Sequence, residues 1–270
     1  MFSLIANFFV RRRAQGKQPE APLHFNRLKH LGDDAWRAAL NESPSTAARW
    51  VEAAATYGDV DAQLYWAQML LDGYGTARDP ERAVRWFRIA AESGRADALN
   101  MVGRCYERGW GVAVDFSKAA EFYRAAADKA DNWGRFNLAC LLMDGLGVKR
   151  DLDAAYALLA KAAAEEHVKS FYRIGLFHEH GWGRPRDRNA ALQWYRRSAE
   201  AGDFRGQYQY GRMLLADGAR DAALSWIARC VSEAPAGFCR EIAPELLDHP
   251  DGGVRSAGQR AIERTEGPLK

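Results

Sequence analysis

Gly94 to Asp131 reads GRADALNMVGRCYERGWGVAVDFSKAAEFYRAAADKAD, and shifting the chain by 36 residues superposes it on itself. The aspartate behind the glycine turn recurs as Asp79, Asp115, Asp151 and Asp187, and the alanine four residues later as Ala83, Ala119, Ala155 and Ala191. One further step back from Ala83 gives Ala47. The glycine pair recurs as Gly73/Gly75, Gly109/Gly111, Gly145/Gly147 and Gly181/Gly183 with no slip of register. A fixed period of this size marks a stacked repeat, a unit that cannot bury its apolar face alone and does so against its neighbours.

Small and apolar positions fall at helical spacing on both sides of the glycine turn: Ala98, Val102, Cys105 and Tyr106, then Ala119, Phe122, Tyr123 and Ala126. Each unit is therefore two helices. Ala67, Gly103, Ala139, Gly175 and Gly211 form a small column in the first helix. Glycine inside a helix costs ~1 kcal/mol relative to alanine, so close approach of a neighbouring backbone is the expected compensation. Ala90/Ala91, Ala126/Ala127, Ala162/Ala163 and Ser198/Ala199 are expected to form the tight seam of the stack. The two glycines allow positive φ where the first helix stops, and the following aspartate is suited to cap the second.

These residues resemble the Sel1-like repeat family, which is related to tetratricopeptide repeats. The match in the quoted unit is Ala98, Val102, Gly103, Tyr106, Gly109, Gly111, Val112, Asp115, Ala119, Phe122, Tyr123, Ala126 and Ala127, and the resemblance extends from Trp50 to Glu233. It implies an all-α fold, a right-handed α/α superhelical solenoid of about five helix-turn-helix repeats with helical end caps. It also implies an adaptor or scaffold for other proteins, and no reaction. Leu158 departs from the aromatic at Trp86, Phe122 and Trp194, and the unit from Gly202 has lost its glycine pair while keeping Asp217, Gly218 and Asp221. The second departure predicts a change of stacking geometry near Gly218.

Lys plus Arg total 38 against 35 Asp plus Glu, a net charge of +3 that calls for no nucleic acid partner. The four cysteines, Cys105, Cys140, Cys230 and Cys239, fall at no repeating position, which favours a reduced, cytoplasmic protein.

Along the chain, residues 1–32 read as an N-terminal apolar and basic segment with a linker, 33–233 as the repeat solenoid, and 234–270 as a helical cap and tail. In the first segment Phe2, Ile5, Phe8 and Phe9 share a helical face ahead of Arg11, Arg12 and Arg13. That arrangement suits either a helix covering the first repeat or a peripheral anchor on anionic lipid. Asp33–Asn41 reads as the first helix and Ser45–Tyr57 as its partner, while Phe238–Leu247 and Gly253–Glu263 read as the closing pair.

No catalytic residue, metal site or cofactor is expected. His178 and His180 lie two apart on a helix and point in nearly opposite directions, and the glycine pairs lack the lysine of a phosphate loop. A hydrolase acting on cell wall or β-lactam substrates is the least favoured reading. The expected partner is another protein or peptide. One candidate surface is the inner face of the first helices, with Gln68, Arg104, Asn137, Arg173, Gln209 and Arg212, whose amides and guanidinium groups suit extended or acidic peptides. The other is the row of side chains between the paired glycines, Tyr74, Trp110 and Trp182, with Leu146 among them. The alternative is a membrane-surface tether using residues 1–13.

Overall fold

The computed structural model describes residues 43–266. The segment carrying Phe2 to Arg13 and the helix expected at Asp33–Asn41 lie outside the described residues. Among those described, thirteen α-helices account for the regular structure. They are α1 (Pro44–Thr56), α2 (Val60–Asp72), α3 (Pro80–Glu92), α4 (Ala96–Arg108), α5 (Phe116–Asp128), α6 (Asn132–Asp144), α7 (Leu152–Ala164), α8 (Val168–His180), α9 (Arg188–Glu200), α10 (Phe204–Ala216), α11 (Arg220–Glu233), α12 (Ala236–Leu247) and α13 (Gly252–Glu266). The chain forms two compact units, the first ending at Arg150 and the second beginning at Asp151.

The turn explains why each helix stops where it does. Gly73, Gly109, Gly145 and Gly181 adopt the left-handed conformation with φ of 72°, 69°, 70° and 70°, each donating its N–H back to the helix it ends. The next helix starts on aspartate: Asp79, Asp115, Asp151 and Asp187 accept from the N–H of Arg82, Lys118, Ala154 and Ala190, each at 2.9 Å. The aspartate N–H also returns to the first helix, from Asp79 to the Leu70 oxygen at 2.7 Å and from Asp115 to Tyr106 at 3.0 Å. The turn is thus bonded at both ends.

The second glycine of the first three pairs sets the distance between repeats, whereas a Cβ on Gly183 would meet only the Asp153 and Leu152 side chains. A Cβ on Gly75 would lie 1.9 Å from the Pro44 oxygen, one on Gly111 2.0 Å from the Pro80 oxygen, and one on Gly147 2.2 Å from the Phe116 carbonyl carbon. In each case the turn of one repeat rests on the first residue of the preceding repeat's second helix. A second seam joins small residues. A Cβ on Gly134 would lie 2.6 Å from that of Ala126, and one on Gly206 2.5 Å from that of Ser198, so the end of one repeat meets the start of the next at backbone distance.

The small column inside the first helices has a different partner from the one expected. A Cβ on Gly103 would lie 2.6 Å from the Tyr123 ring, and one on Gly175 2.4 Å from the Tyr195 ring. These glycines admit an aromatic ring from the second helix of their own hairpin, not chiefly a neighbouring backbone. The buried ring ends in a hydroxyl, which donates to Glu107 in the one case and to Glu179 at 2.6 Å in the other. Where the second helix has Phe87, the first has Ala67 and Leu71 instead. Tyrosine and glutamate therefore change together, because a buried hydroxyl needs an acceptor, whereas glycine also stands at Gly211, where it faces Ile227.

In the second unit, α10 and α11 are joined by only Asp217–Ala219, with Gly218 at φ 78°. The closing helices α12 and α13 bury Ile242, Ala243, Leu246, Val254, Ala257 and Ala261 against Ile227, Cys230 and Val231 of α11. All four cysteines are free thiols, and burial pushes those of Cys105 and Cys230 up to about 12.

Two glycine-related substitutions are expected to act with opposite sign. Gly111→Ala meets both positive φ and the Pro80 carbonyl, and should lower stability by about 2–4 kcal/mol in urea unfolding. Ala130 adopts φ 65° at a link where Gly58, Gly94 and Gly202 stand in other repeats. Ala130→Gly should therefore raise stability by about 0.5–1 kcal/mol.

Candidate protein-binding site

The expected residues occupy two equivalent positions of the first helices. One is held by Asn137, Arg173 and Gln209, and the other by Gln68, Arg104 and Arg212. All six are partly buried, as are Tyr74, Trp110 and Trp182.

In the first unit three of these residues meet. Trp110 stands between two glycines in left-handed backbone, and its N–H returns to the Cys105 oxygen at 2.9 Å. The Arg104 guanidinium lies over its ring, 5.0 Å from the centroid, and Nη1 reaches the Met101 sulfur at 3.4 Å. Gln68 Nε2 donates to Asp72 at 2.8 Å. Gln68, Leu71, Asp72, Arg78, Arg104 and Trp110 line a cavity of about 380 Å³. Two arginines thus face one aspartate that already accepts from an amide, beside an aromatic ring. The arrangement can take up a carboxylate together with an apolar group next to it. Elsewhere in this unit Asn137 Nδ2 donates to Asn100 at 2.8 Å, tying two first helices together. Leu146 is 39% exposed.

The second unit uses the same columns differently. Arg212 forms an ion pair with Glu179, and its Nε donates to the Gln209 amide oxygen at 2.7 Å. Glu179 also accepts from Tyr195, so the charge of Arg212 is spent on the neighbouring repeat. Burial pushes the Glu179 carboxyl up, but the bonds from Tyr195 and Arg212 outweigh it and hold its pKa below the ordinary value. The Arg173 guanidinium is 6.0 Å from the Tyr172 ring centroid. Trp182 stacks on His180 at 5.0 Å, meets Phe177 edge-on at 5.6 Å, and packs on the cluster of Leu176, Ala191, Tyr195 and Met213. Leu176 holds the position that Arg104 has two repeats earlier, which is why one tryptophan meets a cation and the other an apolar wall. His178 Nε2 lies 3.3 Å from the Tyr156 hydroxyl, so the two histidines serve different neighbours.

Turn arginines are the site residues that composition and periodicity did not single out. Arg78, Arg150 and Arg186 share one position in the period, and their Nε groups donate to the oxygens of Leu71 at 3.0 Å, Met143 at 2.9 Å and His180 at 3.3 Å. They complete the end of the first helix, where carbonyls are otherwise unsatisfied. Their recurrence three times in four turns was the available signal.

The family model for the Sel1 repeat matches four copies, at residues 60–94, 96–131, 134–167 and 171–203, together just over half of the chain. The chain belongs to the Sel1 repeat family. Among solved structures, a Sel1 repeat protein from Oxalobacter formigenes is similar at 26% identity and a TM-score of 0.68, covering 82% of this chain and 94% of that one. A sel1 repeat protein from Klebsiella pneumoniae matches at 22% identity and a TM-score of 0.51, over 73% of this chain and 98% of its own. An immunity protein from Pseudomonas aeruginosa shares the fold at 18% identity and a TM-score of 0.53, over 77% and 81% of the two chains. Sel1 repeat proteins generally act as scaffolds for protein–protein interaction. Among the described residues of this member no helix is long and apolar enough to cross a membrane.

The Glu179 network predicts an acid-sensitive second unit. A carboxyl whose folded pKa is depressed adds stability above its unfolded pKa and loses it as pH falls through the folded value. The urea midpoint should therefore drop below the ordinary glutamate value of 4.5, and Arg212→Gln should flatten that drop while lowering stability at neutral pH.

Proposed function

We propose that this Sel1 repeat protein is a non-catalytic scaffold that holds an acidic, extended segment of a partner protein on the first-helix columns of its first unit. The observation that carries this reading is the cleft around Arg104 and Trp110. There two arginines, a tryptophan and an amide line, with Asp72, a cavity of about 380 Å³ that no side chain of the described residues fills. Arginine beside an exposed aromatic is the composition of interaction hot spots. Repeat hairpins bonded at both ends of the turn present such a surface preformed, so the cost of ordering falls mainly on the partner.

The second-unit arginines support the same role less directly. Arg212 is engaged by Glu179 and Gln209, whereas Arg173 remains beside Tyr172 at the surface. Recognition by charge is therefore centred on Arg104 in the first unit, and Arg173 is a separate candidate in the second.

The test is capture of partners by immobilised protein, compared with Arg104→Glu/Trp110→Ala and with Arg173→Glu. Arg212 is left intact because a second carboxylate beside Glu179 would disrupt the repeat itself. A partner lost by at least about tenfold with the Arg104/Trp110 variant, at unchanged helical circular dichroism, supports the cleft. Undiminished capture by both variants would remove the reading.

A further inference from the structure

The turn of the fourth repeat, GWGRPRDRN at residues 181–189, carries more positive charge than its structural task requires. Arg186 does the work shared with Arg78 and Arg150, its Nε on the end of the preceding helix. Arg184 and Arg188 are additional. Their equivalents are Thr76, Val112 and Val148 in the one case and Pro80, Phe116 and Leu152 in the other, all uncharged.

The placement of these cations opposes the local field. Arg188 is the first residue of α9, where the helix presents its positive end, and Arg184 and Arg186 lie within the same turn. Asp187 does not neutralise them freely, since its carboxylate accepts from the Ala190 N–H as the helix cap. Arg188 finds a counter-ion in Asp217 at 2.5 Å. Arg184 finds none among the described residues: its guanidinium lies 3.1 Å from the centroid of the Tyr156 ring and 5.7 Å from that of Phe177. Its Nε is buried without a hydrogen-bond acceptor among those residues, although the side chain as a whole is only partly buried. A buried donor left unmet is costly unless something supplies the acceptor.

Arg184, Arg186, Arg188, His178 and Asn189 border one cavity of about 490 Å³, together with Pro185 and Asp187. The first two N–H groups of α9, those of Arg188 and Asn189, precede the one that Asp187 caps and belong to the set with no partner inside the helix. The arginines of the turn and the first residues of the helix thus border the same space. Three acceptor oxygens and a double negative charge match that donor set better than the two oxygens of a carboxylate. We propose that the turn at Arg184–Asn189 of the fourth repeat is a binding site for a phosphate group, held by Arg184 and Arg186 over the amino end of α9. It is separate in position and chemistry from the carboxylate-binding cleft at Arg104 and Trp110.

The test is a ¹H–¹⁵N NMR titration of the full chain with inorganic phosphate and with O-phosphoserine, each against acetate at matched ionic strength. Saturable shifts of the Arg188 and Asn189 amides with either phosphate compound, and not with acetate, are the expected result. If only O-phosphoserine acts, the source of the group is a phosphorylated side chain. Arg184→Gln should weaken binding by at least about tenfold. Arg150→Gln, which removes from the third repeat the helix-ending bond that Arg186 makes in the fourth, should leave it unchanged. Should Arg184→Gln fail to fold, Arg186→Gln replaces it, with Arg150→Gln measuring the purely structural share. Shifts that never saturate, that acetate reproduces, or that persist undiminished in the Arg184→Gln or Arg186→Gln variant would overturn the proposal.

Discussion

The contact on which the hairpins of the first unit depend is the one between a turn glycine and the amino end of the preceding repeat's second helix. Gly75, Gly111 and Gly147 sit where any Cβ would fall inside the van der Waals radius of backbone atoms of Pro44, Pro80 and Phe116. The same residues need positive φ, at 69°, 68° and 66°. Two independent constraints thus fall on one position, and only glycine meets both. Once that contact is made, the spacing of neighbouring hairpins follows within the first unit. The small-residue seams at Gly134 against Ala126 and at Gly206 against Ser198 close at backbone distance.

Within this frame the interior varies in linked sets. A tyrosine in the second helix requires room and an acceptor from the first, which Gly103 with Glu107 and Gly175 with Glu179 provide. Burial keeps both phenols protonated by raising their pKa, and the glutamates reinforce the effect. The hydrogen bond therefore has one defined direction, from phenol to carboxylate. Such pairing distinguishes the second and fourth repeats from the first and third, which have Ala67, Phe87 and Leu71 or Ala139, Leu159 and Met143 at these positions.

Function resides in what each hairpin does with the positions the frame leaves open. The residue between the glycines is tryptophan in both the second and fourth repeats. Trp110 lies under Arg104 at the rim of a cleft, whereas Trp182 is taken into a cluster with Leu176 and Met213. In the fourth repeat the charge lies instead in the turn itself, where Arg184 rests on Tyr156. The two repeats therefore offer different chemistry on one backbone: an aromatic and cationic cleft in the first unit, and a basic turn at a helix amino end in the second.

The period, the number of hairpins, the bounds of most helices and the aspartate caps were legible in the sequence, because each rests on local rules of spacing, turn conformation and capping. The helix expected at Ser45–Tyr57 is α1 at Pro44–Thr56, and the closing pair appears as α12 and α13. Other features follow from contacts between residues distant in the chain. That Gly103 faces a tyrosine ring, that Arg212 is consumed by Glu179 across 33 residues, and that Arg104 meets Trp110 while its fourth-repeat counterpart is a buried leucine depend on which side chains packing brings together. Sequence periodicity identifies equivalent positions, and equivalence of position is not equivalence of neighbours. The repeat pattern by itself therefore determined the architecture, and only the tertiary packing decided which polar side chains remain available to a partner.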